Sequence, residues 1–197
     1  MLELRFEKPP FLELLRQGRV SERAFVRWLS QERHLLEALL TLEARLLSKA
    51  PQPHRLIWVN GLWFAVEELD WLAVVAPPEE PPHPLRTGYL RYLRALAEEP
   101  YGLGVAACWA RQRVFLDAWG WLGEQGLEGG PSLVHQALLR WSAPELEALA
   151  RDLRSLVVEL PGGVSLEQAG AVIEQVRVYE QLGWAMALGF AREALLS

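Results

Sequence analysis

Cysteine is almost absent from this chain: Cys108 is the only one among 197 residues. Its isolation excludes an internal disulfide and any zinc site built on cysteines. It also suits a reducing compartment, so a cytoplasmic location is expected. Histidine is scarce as well, with four in all. No helical segment carries a Glu-x-x-His or His-x-x-x-His pair, so a di-metal carboxylate bundle lacks ligands. No His stands on an apolar stripe to serve as a haem ligand either. No metal and no cofactor is expected. Lysine is limited to Lys8 and Lys49, and the net charge is −5. The arginines alternate with glutamates along helical segments, which reads as solvated faces with i,i+4 pairs and not as a phosphate-tracking surface. Nucleic acid is therefore not expected as a partner. No uncharged apolar run approaches the ~20 residues a membrane span needs, and the N-terminus shows no signal pattern. A glycine-rich phosphate loop and a serine nucleophile elbow are missing too.

What the chain does have is hydrophobic residues, 51% of the total, and nine tryptophans. Their spacing is helical throughout, and no segment alternates as a half-buried strand would. Pro9-Pro10 opens a short segment, Phe11 to Gln17, closed by Gly18. Ser21 caps a long helix to about Lys49, with Phe25, Trp28, Leu29, Leu35, Leu36, Leu39 and Leu46 as its apolar residues. The third helix, His54 to Ala76, carries Trp58, Leu62, Trp63, Val66, Leu69 and Trp71. Residues 77–84 are too rich in proline to be helical and read as an extended connector. Further helices are expected over Leu85 to Glu98, Leu103 to Glu124 and Ser132 to Trp141. In the fifth of the series Val105, Cys108, Trp109, Phe115 and Trp119 face inward. Ser142-Ala143-Pro144-Glu145 supplies cap, N1 proline and first-turn acid for another, reaching Leu160. The last runs from Ser165 to about Ala194, opened by a capping box of Ser165 and Gln168. Seven or eight helices without a repeat period imply one all-α bundle spanning residues 1–197.

Two carboxylates are out of keeping with this pattern. Glu180 lies on the stripe formed by Ile173, Val176, Trp184 and Ala187, and Glu32 lies between Trp28, Leu35 and Leu39. A buried carboxylate is costly unless paired or protonated. Either each is paired to an Arg or sits at the stripe's rim, or the two face a shared cavity, one protonated and one ionised. Glu67, between Trp63 and Trp71, has similar surroundings, but Glu68 and Asp70 beside it suggest an outer acidic face. Cys108 and Gln112 share one face of the fifth helix. Arg111 and Arg113 are close in sequence but belong to other faces, and a lone buried Cys is commonly an inert small hydrophobe. Tyr89 and Tyr92 lie on adjacent faces of the fourth helix, where either could turn a hydroxyl into a cavity. His54 and His83, beside prolines at segment ends, read as superficial.

Several motifs, in order, resemble those of the TenA (thiaminase II-like) family, which has a haem-oxygenase-like all-α fold. They are Phe25 through Glu32, Thr87-Gly88-Tyr89 with Leu93, Cys108-Trp109 through Phe115 to Trp119, Trp141 through Leu146, and Tyr179-Glu180 with Trp184, Met186 and Ala187. The last is similar to the family's Tyr-Glu-x-x-Phe-Trp-x-Met-Ala. The resemblance implies a hydrolase that cleaves a C–N bond of an aminopyrimidine, thiamin or one of its degradation products, in thiamin salvage. It gives Glu180 the role of general acid/base, and Glu32, in place of the usual Asp, that of holding the pyrimidine's amidine edge. Tyr89 would stack on or hydrogen-bond the ring, and Trp141 stands where many members have Tyr; Trp28 and Glu67 are further ligand-contacting candidates. In one branch a fifth-helix Cys adds to the ring and in another a Glu replaces it. Cys108 or Gln112 stands at that position here. Leu35 replaces a Tyr, leaving a more apolar pocket. The resemblance also implies a homodimer or homotetramer. Two alternatives stand beside it: a non-catalytic or regulatory small-molecule-binding member of the fold, and an oxidative enzyme of the haem-oxygenase-like class.

Overall fold

A computed structural model describes residues 4–76 and 80–196. Pro77, Pro78 and Glu79, part of the expected connector, lie outside the described residues. Among the described residues there are eight α-helices and no strand. They are α1 (Pro10–Arg16), α2 (Glu22–Lys49), α3 (Arg55–Val75), α4 (Pro84–Leu96), α5 (Tyr101–Gln125), α6 (Ser132–Trp141), α7 (Pro144–Glu159) and α8 (Leu166–Leu196). Short 3-10 turns, Gln52–His54 and Pro161–Gly163, precede α3 and α8.

Local chemistry sets most of the boundaries. The Ser21 hydroxyl accepts from the Ala24 N–H at 3.3 Å, satisfying one orphan donor of α2. At α8 the Ser165 N–H donates to Gln168 Oε1 at 2.9 Å while the Gln168 N–H donates to Ser165 Oγ at 3.1 Å, a complete capping box. Proline occupies the first turn of α1, α4 and α7, where a missing N–H costs nothing. Gly18 leaves α1 at φ +65 and passes so close to the Gly129-Gly130 turn that a Cβ there would lie 2.8 Å from the Gly130 nitrogen.

Several expectations are corrected. The residue capping α7 is Ala143, without a side-chain bond; Ser142 instead closes α6. Helix α5 begins two residues earlier than expected, at Tyr101, because Pro100 already has the extended conformation that precedes a first turn. His54 falls in a 3-10 turn before α3. It is not superficial: Nε2 pairs with Glu159 at 3.1 Å and Nδ1 meets the Tyr101 hydroxyl at 3.3 Å, which also accepts from Trp58 Nε1 at 2.6 Å. Helix α3 buries Trp58, Gly61, Ala65 and Leu72, so the middle of its core face is made of small residues between two large ones. Leu56, Val59, Trp63 and Val66, spaced i, i+3, i+7, i+10, form an exposed apolar row instead, with Trp63 59% exposed.

The core has two apolar bodies. One centres on Leu42, Leu46, Trp58, Leu93, Val105 and Val176; the other on Phe11, Phe25, Trp28, Trp119, Trp141 and Trp184. Trp28 is the hub of the second, stacked on Trp184 at 5.5 Å and Trp119 at 6.0 Å and edge-on to Trp141 at 5.9 Å. Buried aromatic area and ring geometry supply its contribution. Its indole N–H has no hydrogen-bond partner, nor have those of Trp119 and Trp184. Each such donor costs about 1–3 kcal/mol, so the rings carry the stabilisation. We expect Trp28→Phe, which keeps a ring and deletes an unpaired donor, to cost under about 1.5 kcal/mol, against about 3–5 for Trp28→Ala. Urea denaturation of the two variants measures both.

Candidate functional site

Helices α2, α5 and α8 each change from one apolar body to the other at a single buried charged residue. On α2 it is Glu32, between Leu29 and Leu35; on α5 Arg111, between Ala110 and Phe115; on α8 Glu180, between Val176 and Trp184. Arg86, from the start of α4, joins them and is 2% exposed. Arg86 Nη2 donates to Glu32 Oε1 in a short contact. Arg111 Nη2 reaches Glu32 Oε2 at 3.5 Å, and Arg111 Nε stands 3.7 Å from Glu180 Oε1. The Arg111 guanidinium also lies over the Phe115 ring at 4.1 Å. Burial pushes the Glu180 carboxyl above its ordinary range; Arg111 pulls the other way, and Glu32 adds to the rise. Tyr89 is fully buried and stacked on Tyr179 at 4.9 Å, with a hydroxyl near Glu180 but without a hydrogen-bond partner. Burial and the Glu180 charge raise that hydroxyl well above the usual range.

Room for Arg86 comes from Gly183. A Cβ there would stand 3.2 Å from Arg86 Nη2 and 3.3 Å from Nη1. This glycine occupies the place of Phe in the motif that the α8 segment resembles.

Beside the cluster lies a cavity of about 380 Å³, between α2, α3, α5, the end of α6 and α7. Glu32, Leu36, Leu39 and Glu43 line it from α2 at i, i+4, i+7 and i+11. Cys108, Arg111, Gln112 and Phe115 line it from α5, and Trp141 closes one side. Of the residues singled out in the sequence, Glu32, Cys108, Gln112, Trp141 and Glu67 therefore border one space. Glu180 and Tyr89 lie behind Arg111, and Trp28 lies in the aromatic core; none of the three borders it. Arg111 does not point away from Cys108, as expected; both reach this wall, because α5 is surrounded by helices along that turn.

The polar groups of the wall are unequally occupied. Trp141 Nε1 donates to Glu68 Oε1 at 2.8 Å, and Arg140 pairs with Glu68. Gln112 Nε2 reaches the Leu146 carbonyl at 3.5 Å. The exposed Glu67 receives Arg140 only at its backbone carbonyl, at 2.8 Å. Burial, and then Glu43, raises the Cys108 thiol well above its usual range, so it is held as a thiol. Glu43 was not foreseen. Its Oε2 is shielded from solvent and unpartnered, and burial pushes the carboxyl up to about 7, against a smaller opposing pull from Arg111. The signal was present: eleven residues after Glu32 is three helical turns, so the two carboxylates share a stripe with Leu36 and Leu39.

Two outcomes follow. Arg86→Ala leaves Glu32 with a single, longer ion pair in the core and should destabilise the protein by about 3–5 kcal/mol in urea denaturation. Glu43 binds its proton more tightly folded than unfolded. Its contribution is therefore fully present below an ordinary carboxyl pKa of about 4.5 and is lost as pH rises through about 7. Glu43→Gln, which cannot ionise, should match the wild type at pH 4.5 and exceed it at pH 8 by on the order of 2–3 kcal/mol. Parallel denaturant curves at the two pH values measure the difference.

No family model matches this sequence, and neither does any curated protein. Solved structures do. A TenA homologue from Pyrococcus furiosus superposes with a TM-score of 0.81 at 20% identity, over 90% of this chain and 89% of that one. A protein described as a TenA family transcription regulator, from a Silicibacter species, superposes with a TM-score of 0.74 at 15% identity, over 92% and 87%. The fold of this chain, an all-α bundle, is that of these TenA homologues.

Proposed function

We propose that the protein binds an amino-substituted heteroaromatic compound of the pyrimidine class in the cavity beside the ion cluster. The observation that carries this is the lining: flat apolar surfaces of Phe64, Phe115 and Trp141 face carboxyls from Glu32 and Glu43 across a space of about 380 Å³, the size of a small ring compound's site. The TenA resemblance implies the reaction, hydrolysis of a C–N bond by water, one carboxyl taking the water's proton and supplying one to the leaving nitrogen. Cys108, held as a thiol, fits that route better than addition to the ring. Glu180, whose carboxyl burial favours in the neutral form, suits a general acid. For it to reach a ligand, the Arg111 guanidinium standing between them has to move.

That obstruction favours a second reading, a member that binds without turnover. A guanidinium offers the same paired N–H donors as an amidine edge, and here Arg86 already gives them to Glu32. The fold is shared, besides, with a protein called a transcription regulator. Among the described residues no helix is long and apolar enough to cross a membrane. The exposed row Leu56, Val59, Trp63 and Val66 on α3 supports a homo-oligomer packed through that face.

A mass-spectrometric turnover assay on thiamin, aminomethylpyrimidine and formylaminomethylpyrimidine separates the readings. Turnover is expected to fall by about 100-fold or more in Glu180→Gln, and to stay within about threefold in Cys108→Ser, a thiol with no thiolate role. Binding without turnover selects the second reading, and absence of both refutes the ligand class. For the assembly, Val66→Glu should lower the mass measured by light scattering to that of the monomer.

A further inference from the structure

Glu43 belongs to the cavity wall, and neither the ion cluster nor the TenA resemblance employs it. Its Oε2 is buried without a partner. Its place depends on α3 having glycine at 61, where a Cβ would stand 3.0 Å from that oxygen. The ionisable groups sharing the cavity are Glu32 on the same helix, Glu67 and Glu68 on α3, Cys108 and Arg111 on α5, Arg140 on α6 and Glu145 on α7. Most are already engaged or neutral. Arg111 is committed to Glu32 and Glu180, Arg140 to Glu68, and Cys108 stays a thiol. Glu67 and Glu145 are exposed at the rim, with no ion pair among the described residues, so the mouth is acidic. Negative rim charge draws in cations and repels anions.

A half-buried carboxyl in the cavity wall with one oxygen shielded and unpartnered is a costly arrangement that an occupant with N–H donors and positive charge relieves. A neutral ring would gain only its apolar burial. An anion would meet Glu43, Glu67 and Glu145 together. The chemistry of the wall therefore selects a basic nitrogen compound with a flat ring, presented as its conjugate acid.

We propose that Glu43, and not Glu32, is the residue that receives the ligand, its carboxylate accepting the N–H donors of a protonated amino-imine or amidine edge while Phe64, Phe115 and Trp141 enclose the ring. This rests on the reading of the cavity given under Proposed function and moves the ligand's anchor three helical turns along α2. No covalent step is involved. A neutral base entering the neutral carboxyl form takes the proton from Glu43, and a permanent cation binds the ionised form, with release of that proton to solvent.

The test uses the full chain and three probes read by calorimetry or by tryptophan fluorescence: benzamidine, a cation throughout the range; benzamide, its neutral counterpart; and 4-aminopyrimidine. Wild type should bind benzamidine about tenfold or more tighter at pH 8 than at pH 5.5, because Glu43 ionises between them. Benzamide should be indifferent to pH. In Glu43→Gln the advantage of benzamidine over benzamide should vanish. Gly61→Ala, which presses on the carboxyl without removing its charge, should weaken benzamidine severalfold, and cooperative melting of each variant shows that it is folded. Benzamidine bound no better than benzamide by wild type, or equally by Glu43→Gln, overturns the proposal. If benzamidine follows the expected pattern and 4-aminopyrimidine does not bind, Glu43 stands as the anchor and the pyrimidine reading falls. If 4-aminopyrimidine binds with no regard to Glu43, the pyrimidine reading stands and this inference falls. With no probe bound, both fall.

Discussion

Everything in this bundle is arranged around a charge problem in its middle. Glu32, Arg86, Arg111 and Glu180 come from four different helices and meet where the two apolar bodies of the core adjoin. Removing such ions from water costs several kcal/mol each, and mutual attraction offsets it only where geometry is good. Here it is incompletely good. Two Arg86 nitrogens, Arg111 Nε, Glu180 Oε1 and the Tyr89 hydroxyl lack hydrogen-bond partners. Burial accordingly drives Glu180 toward its neutral form. The cluster links α2, α4, α5 and α8 through charge.

The same cluster explains how the chain departs from the family it resembles. A Phe-to-Gly difference at 183 opens space on α8, and Arg86 enters it to meet Glu32. The Arg86 guanidinium lies against Gly183 and bonds Glu32. The accessible volume lies instead on the far side of Arg111, against Glu43, Cys108 and Trp141. Similarity of fold to TenA homologues at 15–20% identity is compatible with this, because a shared fold leaves the chemistry of the interior unspecified.

The division of α3 into faces illustrates a related point. In the middle of its inner face Gly61 and Ala65, between Trp58 and Leu72, let α2 approach closely, and the cavity lies beside that contact. Its outer face keeps Trp63 and Val66 in solvent. Hydrophobicity by residue type points the large side chains inward; the closeness of two helices decides otherwise. Small residues are what permit that closeness, and the large ones are left to the exterior.

Helix order, the Ser21 cap, the Ser165–Gln168 box, the inward faces of α2, α5 and α8 and the oddity of Glu32 and Glu180 were legible in the chain, because each depends on residues within a turn or two of one another. The Phe-to-Trp run of α2 and the Tyr-Glu segment of α8 also carried the resemblance to a fold that the superpositions bear out. What the chain alone left open was which alternative held for the two carboxylates, since a partner 54 or 79 residues away in sequence leaves no local trace. Arg86 heads the apolar stripe of α4, ahead of Tyr89, Leu90, Leu93 and Leu96, but a long cation in a first turn can reach solvent as readily as the core, and Arg111 looked like one member of an alternating charged series. Only packing brought them under α8, through a missing side chain at Gly183, and only packing emptied a space beside Glu43 by placing a glycine opposite it. Local sequence determines where helices begin and which stripe is apolar. Which charges share a dielectric, and therefore which of them stay free to act, is decided by distances between helices that no spacing along the chain encodes.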